Sequence, residues 1–319
     1  MADGYNGRSD NYRIAEIKTM HKAPYPGIDP RRPELSQTGR TVLIAGGSTG
    51  IGFAIARGFV QAGALRVIIL GRRADVVQAA AASLQAEAEA ETAGMERGNA
   101  VTVVMGIPCD IGSLADAARL WDGLKRDEIV VDVLVLSAAV TGQMGPILQN
   151  TVEATWTAVE FNVRAILAFT DRFYKQGGEN RAKKQYLVNV SSSAIHYFQS
   201  DGTLIPAYGL TKNAGTLLLQ QIAKDTDVND MQIVSFHPGG VRTEMAIASG
   251  VPENAIAWDD VRLPGQFAVW AASDEASFAH GKVLAAHWDV DELKGGEVQK
   301  KIEEQPSYLQ IGVCGAIGI

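Results

Sequence analysis

Cysteine is nearly absent from this chain. Cys109 and Cys314 are the two present, too few and too far apart for a metal cage or a disulfide framework, which fits a reducing compartment. No stretch approaches the roughly 18 uninterrupted apolar residues of a membrane-spanning helix, and Cys314 lies too far from the end for prenylation. The opening MADGYNGRSD has no basic segment followed by an apolar one, and its aspartates speak against a mitochondrial presequence. The expectation is a soluble cytoplasmic protein with no membrane partner. Basic charge is also in deficit: a net charge of -7 repels a phosphate backbone, and Arg72-Arg73 is too short a run to reverse that, so a nucleic-acid partner is not expected. His196, His237, His280 and His287 are scattered, and no metal site or acid-base role is assigned to them. What remains, 46% apolar and 20% charged residues, is ordinary globular composition.

Residues 1–40 are rich in Gly, Pro, Asp, Asn and Arg, and the four prolines of APYPGIDPRRP at 23–33 forbid a continuous helix. They read as an extended N-terminal arm, either mobile or packed on the domain or on a neighbouring subunit. From Thr41 short β-rich runs alternate with longer helical stretches. TVLIAG (41–46), RVIIL (66–70), VTVVMGI (101–107), VDVLVLS (131–137), QYLVNVSS (185–192), MQIVSFH (231–237) and KVLAAHW (282–288) read as seven strands. Most are apolar throughout, as expected when helices cover both sheet faces. The intervals 50–62, 73–93, 113–127, 151–175, 208–226 and 263–273 have the lengths and apolar spacing of right-handed crossover helices. The pattern predicts a single doubly wound α/β domain over 41–292, with a seven-stranded parallel sheet flanked by helices, and a C-terminal tail over 293–319.

The first strand runs into Ala45-Gly46-Gly47-Ser48-Thr49-Gly50-Ile51-Gly52, where a helix begins. Gly46 permits a tight turn, Gly50 lets backbone approach a pyrophosphate, and Gly52 removes a side chain between helix and sheet, while amides at the helix start face the anion. The G-x-x-x-G-x-G spacing predicts a nucleotide site at 46–52 because of its place after the first strand. At the end of the second strand, Leu70-Gly71-Arg72-Arg73 offers no carboxylate for a ribose 2′-hydroxyl; an arginine fork suits a 2′-phosphate, which favours NADP(H) over NAD(H). Asp75, slightly downstream, is a rival ribose partner. Asp110 could accept from the adenine amino group with Ile111 as an apolar wall, or cap the following helix.

Tyr208 and Lys212 stand four residues apart, on one face of a helix that follows the fifth strand. Reducing a ketone leaves negative charge on oxygen, so a proton donor must stand beside it. Tyr208 can be that donor, with the Lys212 ammonium and the positively charged nicotinamide of the oxidised complex together drawing the phenol towards ~7 from its usual ~10, and Lys212 also holding the ribose hydroxyls. Ser192, in Ser191-Ser192-Ser193, would hydrogen-bond the substrate oxygen rather than attack it, because no histidine–acid pair accompanies it. Asn162, polar amid apolar neighbours, could hold a water linking Lys212 to solvent.

The glycine turn, Asn162, the serine run, Tyr208-x3-Lys212 and Pro238-Gly239-Gly240-Val241-Arg242-Thr243 together resemble the short-chain dehydrogenases/reductases over nearly all of 41–290. The resemblance implies a Rossmann-type fold and an NADP(H)-dependent oxidoreductase with Asn162, Ser192, Tyr208 and Lys212 as catalytic tetrad. It also implies cofactor contacts from Gly46, Ser48, Thr49, Gly50, Ile51, Gly52, Arg72, Arg73, Asp110, Ile111, Ser137, Ala138, Ala139, Tyr208 and Lys212, with Pro238, Gly239, Val241 and Thr243 along the nicotinamide and diphosphate. Pairing through the helices at 151–175 and 208–226 into a homodimer or homotetramer is expected on the same ground. AHWDVDEL and the proline-rich arm resemble the fungal branch associated with secondary metabolism. Three departures stand out: Ala45 where the family often has Thr; Leu136-Ser137-Ala138-Ala139 for Asn-Asn-Ala-Gly, leaving Ser137 to support the sheet centre in place of an amide; and an interval of sixteen residues from Ser192 to Tyr208, longer than usual, which keeps Ser191 and Ser193 open as alternatives to Ser192.

Met245, Ile247, Val251, Pro252, Ile256 and Trp258 read as a mobile apolar lid over 244–262; with Ile195, Tyr197 and Phe198 they suggest a medium-sized hydrophobic or aromatic ketone or alcohol, such as a polyketide or terpenoid intermediate. Two rival readings keep the fold: a cyclase, isomerase or dehydratase without net hydride transfer, and a non-enzymatic NADP(H) sensor.

Overall fold

The computed structural model describes residues 12–93, 101–176, 183–196, 205–254 and 256–312. Cys314, Tyr197, Phe198 and most of the loop before Tyr208 lie outside them. Seven strands form one parallel sheet: β1 (Thr41–Ala45), β2 (Arg66–Gly71), β3 (Val103–Pro108), β4 (Val133–Leu136), β5 (Gln185–Val190), β6 (Met231–His237) and β7 (Lys282–Ala285), in the order β3-β2-β1-β4-β5-β6-β7. Each expected strand is present: β6 has the expected bounds, β2 runs one residue further to Gly71, β3 is shifted to end at Pro108, and β1, β4, β5 and β7 are shorter than expected. The central strands are buried at every position, which is why they read as unbroken apolar runs: side chains alternate between two faces, and both are covered.

The crossovers are α1 (Gly50–Gln61), α2 (Ala74–Ala93), α3 (Leu114–Arg126), α4 (Val152–Val159) continued by α5 (Ala165–Lys175), and α6 (Pro206–Lys224); α7 (Glu244–Ala248) and α8 (Arg262–Ala271) lead to β7. On one sheet face Phe59, Val269 and Trp270 of α1 and α8 pack on Val42, Val188 and Phe236; on the other Trp121, Phe169 and Phe173 of α3 and α5 pack on Leu43, Leu134 and Leu187. Successive strands are laid down in opposite directions on either side of β1 and β4, so the loops leaving those strands part and open a crevice at their carboxyl ends. The helix expected over 151–175 is continuous but not uniform. Glu160–Arg164 form a π-helical segment between α4 and α5, with Asn162 in it.

The arm is packed from Tyr12 onward. Its prolines start single 3-10 turns at Pro26–Ile28 and Pro33–Leu35, and Ile17, Tyr25, Ile28 and Leu35 are buried. Tyr25 Oη donates to the Trp288 carbonyl (2.9 Å) and accepts from Val290 N–H (3.0 Å), while the Arg32 guanidinium meets Glu275 at 2.7 Å. The domain ends in α9 (Val290–Leu293), the tail adds α10 (Glu297–Glu304), and Lys301 and Tyr308 both reach Glu16 of the arm.

Candidate active site

The turn after β1 is built for close approach. Gly46 has φ +83°, and a Cβ there would lie 2.7 Å from the Ala138 nitrogen; a Cβ on Gly52 would overlap the Gly46 carbonyl. These two glycines let the start of α1 press on the turn and the turn press on the end of β4. No side chain caps α1 at Thr49, so the amides at its start are left for another acceptor. Such a glycine-lined, amide-rich concavity fits the pyrophosphate of a dinucleotide, with Ser48, Thr49, Gly50 and Ile51 along it. Ser137 and Ala138 donate their backbone N–H groups to the Ala45 carbonyl at 3.0 and 2.8 Å. That corrects the expectation for Ser137: main-chain amides brace the sheet centre, and the serine hydroxyl makes no hydrogen bond among the described residues. Ala139 follows at the crevice edge, partly buried.

Arg72 and Arg73 are exposed at the end of β2. The Arg72 guanidinium lies 5.8 Å over the Phe161 ring, and Arg73 reaches Glu244 of α7 at 3.5 Å, across the crevice. Asp110 is not a helix cap: Ser113 caps α3 through Asp116 N–H, and Asp110 Oδ1 accepts from Gly112 N–H at 3.0 Å. Ile111 is buried in the same core cluster as Cys109 and Trp121. After β6, Pro238, Gly239 and Val241 are buried, and Gly240 N–H donates to Asp259 Oδ2 at 2.7 Å. Thr243 caps α7 and sits beside Gly50.

The residues expected to do chemistry converge at the end of β5. Tyr208 hydrogen-bonds Ser192, whose Oγ also accepts from Ala194 N–H at 3.1 Å. Ser191 instead pairs with Thr216 of α6 (2.7 Å), deep in the interior, and Ser193 offers its backbone N–H to His237. Of the three serines, Ser192 is therefore the one whose hydroxyl meets the phenol. Lys212, one turn along α6, is buried and donates to the Val190 carbonyl at 2.6 Å. Burial lowers its pKa to about 8.

Burial raises the Tyr208 pKa and the Ser192 hydrogen bond opposes this, so in the free protein the phenol is held as an acid. The Asn162 amide is already committed, with Oδ1 accepting from Val140 N–H (2.9 Å) and Nδ2 donating to the Val140 carbonyl (2.7 Å) and Thr211 Oγ1 (2.9 Å). Its side chain braces the chain leaving β4 against α6. Ile195 likewise is buried, with its carbonyl accepting from Asn213.

Comparison with known proteins decides the family. The family model described as short chain dehydrogenase matches residues 40–253. This chain belongs to the short-chain dehydrogenases. It is 34% identical over 305 residues to the short chain dehydrogenase/reductase nsrO of Aspergillus novofumigatus, covering 93% of this chain and 96% of that one. It is 31% identical over 300 residues to the short chain dehydrogenase/reductase AacuD of Aspergillus aculeatus, covering 94% and 97%. Both relatives are fungal, as the arm and AHWDVDEL had suggested. Among solved structures, the Pseudomonas aeruginosa RhlG/NADP active-site complex superposes with a TM-score of 0.66 at 23% identity, covering 80% of this chain and 97% of that one, a likeness of fold. Membership makes the chain an oxidoreductase of the short-chain dehydrogenase type that uses a nicotinamide cofactor and a small-molecule substrate. Among the described residues, no helix is long and apolar enough to cross a membrane and no group of metal-ligating side chains is assembled.

Sequence reading did not place the arm beside the candidate site. Tyr12 stacks on Trp288 and on His196, next to Ser192 and Ser193, and three of the four histidines left without a role gather around it. No local signal could have revealed this, because the partners are separated by most of the chain.

Proposed function

We propose that this short-chain dehydrogenase reduces a medium-sized hydrophobic or aromatic ketone with NADP(H), in cytoplasmic secondary metabolism, using Tyr208 as general acid. The observation that carries the reading is the Ser192–Tyr208 hydrogen bond with buried Lys212 one helical turn away, held against the carboxyl end of β5. A nicotinamide bound there supplies or accepts the hydride. Everything else falls to the chain. Ser192 holds the carbonyl oxygen, and Tyr208, whose raised pKa keeps it protonated at neutral pH, delivers the proton as negative charge develops. Lys212 uses one of its three donors on Val190; the others suit ribose hydroxyls, and its charge favours the phenolate that remains. Asn162 stiffens α6 beneath this pair.

Arg72 and Arg73 are the arginines that would meet a 2′-phosphate; Asp110 keeps one carboxylate oxygen for the adenine, and Pro238, Gly239, Val241 and Thr243 flank the nicotinamide end. The partly exposed Met245 and Ile247 of α7 give the substrate side an apolar surface. The outward face of α4, α5 and α6 carries Trp156, Val152, Leu167 and Leu210, with Leu148 just before it, all well exposed, and we assign it to pairing in a homodimer or homotetramer. The catalytic domain spans 41–292, with 1–40 as an arm and 293–319 as a tail, of which the described residues 12–40 and 293–312 fold onto it.

Fluorescence titration with NADPH and NADH, followed by cofactor consumption over aromatic and polyketide-like ketones, tests the reading. NADPH is expected to bind at least tenfold more tightly than NADH, with the preference lost in Arg72→Ser/Arg73→Ser. Equal or tighter NADH binding by the wild-type protein contradicts the cofactor assignment.

A further inference from the structure

The four-residue turn Ser193–His196, which follows Ser192, is tethered at both ends by groups that have no part in the chemistry. At its start, Ser193 N–H donates to His237 Nδ1 at 3.1 Å. A backbone N–H can only donate, so Nδ1 carries no proton and His237 is the neutral Nε2–H tautomer. Burial, with His287 and His196 nearby, holds its pKa down at about 3, so the acceptor persists at every working pH. Among the described residues His237 Nε2 is buried with no hydrogen-bond partner. A residue serving only to fill this space would be better apolar, since an unpaired buried donor is costly; what the imidazole uniquely provides is the acceptor for Ser193.

At the end of the turn, His196 Nε2 is 2.8 Å from Tyr12 Oη, and the two rings stack at 5.0 Å. Tyr12 is itself fixed: its ring lies nearly parallel to Trp288 at 5.3 Å and edge-on to His237 at 5.7 Å. Its carbonyl accepts from Trp288 Nε1 (2.9 Å) and lies 3.0 Å from His287 Nε2. An element nearly two hundred residues away in sequence thus closes over the segment that presents Ser192 to Tyr208.

We propose that the N-terminal arm is part of the catalytic scaffold: His237 through the Ser193 amide, and Tyr12 through His196, are positioning residues that hold the Ser192 turn in register with Tyr208. This rests on Ser192 and Tyr208 being the reacting pair. Misplacing a hydrogen-bonding group by about an ångström is enough to slow a reaction on the order of a hundredfold while leaving a remote cofactor contact untouched.

The test uses the full-length protein and the variants His237→Leu, His237→Asn, Tyr12→Phe and Tyr208→Phe. Hydrogen exchange is followed in the peptide spanning 191–196, and kcat and KM are measured with NADPH and an aromatic ketone such as 2-acetonaphthone. His237→Leu is expected to speed exchange of that peptide, but not of β1 or β4, about tenfold, and to lower kcat about tenfold or more with the KM for NADPH within twofold. His237→Asn, whose amide oxygen can take the Ser193 N–H, recovers most of both. Tyr12→Phe, which keeps the stacking and loses the hydroxyl, gives a roughly threefold change of the same kind. Wild-type exchange in His237→Leu and Tyr12→Phe, or equal damage from Leu and Asn, overturns the proposal and leaves His237 a packing residue. Tyr208→Phe separates the two levels: undiminished turnover in that variant defeats the reading of the site, whereas its loss of turnover alongside an unaffected His237→Leu defeats only the positioning role. If the probe ketone is not turned over, the exchange measurement decides.

Discussion

Replacing Lys212 with Met keeps an unbranched apolar stem and deletes a buried charge. Lys212 titrates at 10.5 in an ordinary setting and at about 8 in the folded protein, because burial penalises the ammonium. The unfolded chain therefore holds this proton more tightly than the folded one, and at pH 7 the lysine costs the fold about 3 kcal/mol relative to an uncharged side chain, at about 1.4 kcal/mol per pH unit. The cost is present in full below about pH 8 and disappears as pH rises towards 10.5. By pH 9.5 only about 1 kcal/mol remains, so the wild-type protein should gain about 2 kcal/mol on Lys212→Met between pH 7 and pH 9.5. The methionine also leaves the Val190 carbonyl without its donor, which costs about 1–3 kcal/mol at any pH and shifts the whole comparison without changing its slope. The assay is urea unfolding of both proteins at half-unit steps of pH, subtracting the two curves so that other titrating groups cancel. At pH 7 Lys212→Met should be as stable as the wild type or more so, although inactive. A flat difference, or one in which the wild type loses ground as pH rises, refutes the claim that a desolvated lysine sits at this site.

Further outcomes follow from the same coordinates. Gly46→Ala puts a Cβ at φ +83° and 2.7 Å from the Ala138 nitrogen. A left-handed non-glycine residue costs about 1–2 kcal/mol and overpacking about 1–3, so a lower Tm and at least tenfold weaker NADPH binding by titration are expected; unchanged binding contradicts the turn's role. Tyr25→Phe strips a buried hydroxyl from Trp288 and Val290, and urea melts should record a loss of about 1–3 kcal/mol, against none if the arm is only loosely attached. Trp156→Glu places a charge on the exposed α4 face, and light scattering should find a smaller assembly than the wild type; identical masses remove that face from the interface.

Much of this fold was legible because its strands are short, apolar and rich in Val, Ile and Leu, and because helices of adequate length separate them; the sheet then has to be parallel and covered on both sides. Strand ends were over-read, as at 131–137, where β4 stops at Leu136 because the chain turns away to bind the Ala45 carbonyl. The π segment at Glu160–Arg164 has nothing in its composition to set it apart from the helix around it. The arm's prolines told what it could not be, a helix, but not what it packs on, since Trp288 and Val290 supply that surface from the far end of the chain. At the site, a spacing of four placed Tyr208 and Lys212 on one face correctly. The desolvation that raises the Tyr208 pKa in the free protein was not legible, because charge can be counted in a sequence whereas desolvation depends on everything packed around the ring. Ser192 was separable from its neighbours only once Ser191 was seen to face Thr216 and Ser193 to use its backbone on His237.

The central claim, that the Tyr208 hydroxyl moves the proton, is tested most directly by single-turnover kinetics of Tyr208→Phe loaded with NADPH against a ketone the wild type reduces, with Ser192→Ala in parallel. Phenylalanine fills the same space, so binding of NADPH should survive within about threefold while the chemical step slows by about a hundredfold or more, the scale of a lost general acid. A Tyr208→Phe protein that reduces the ketone at the wild-type rate contradicts the account.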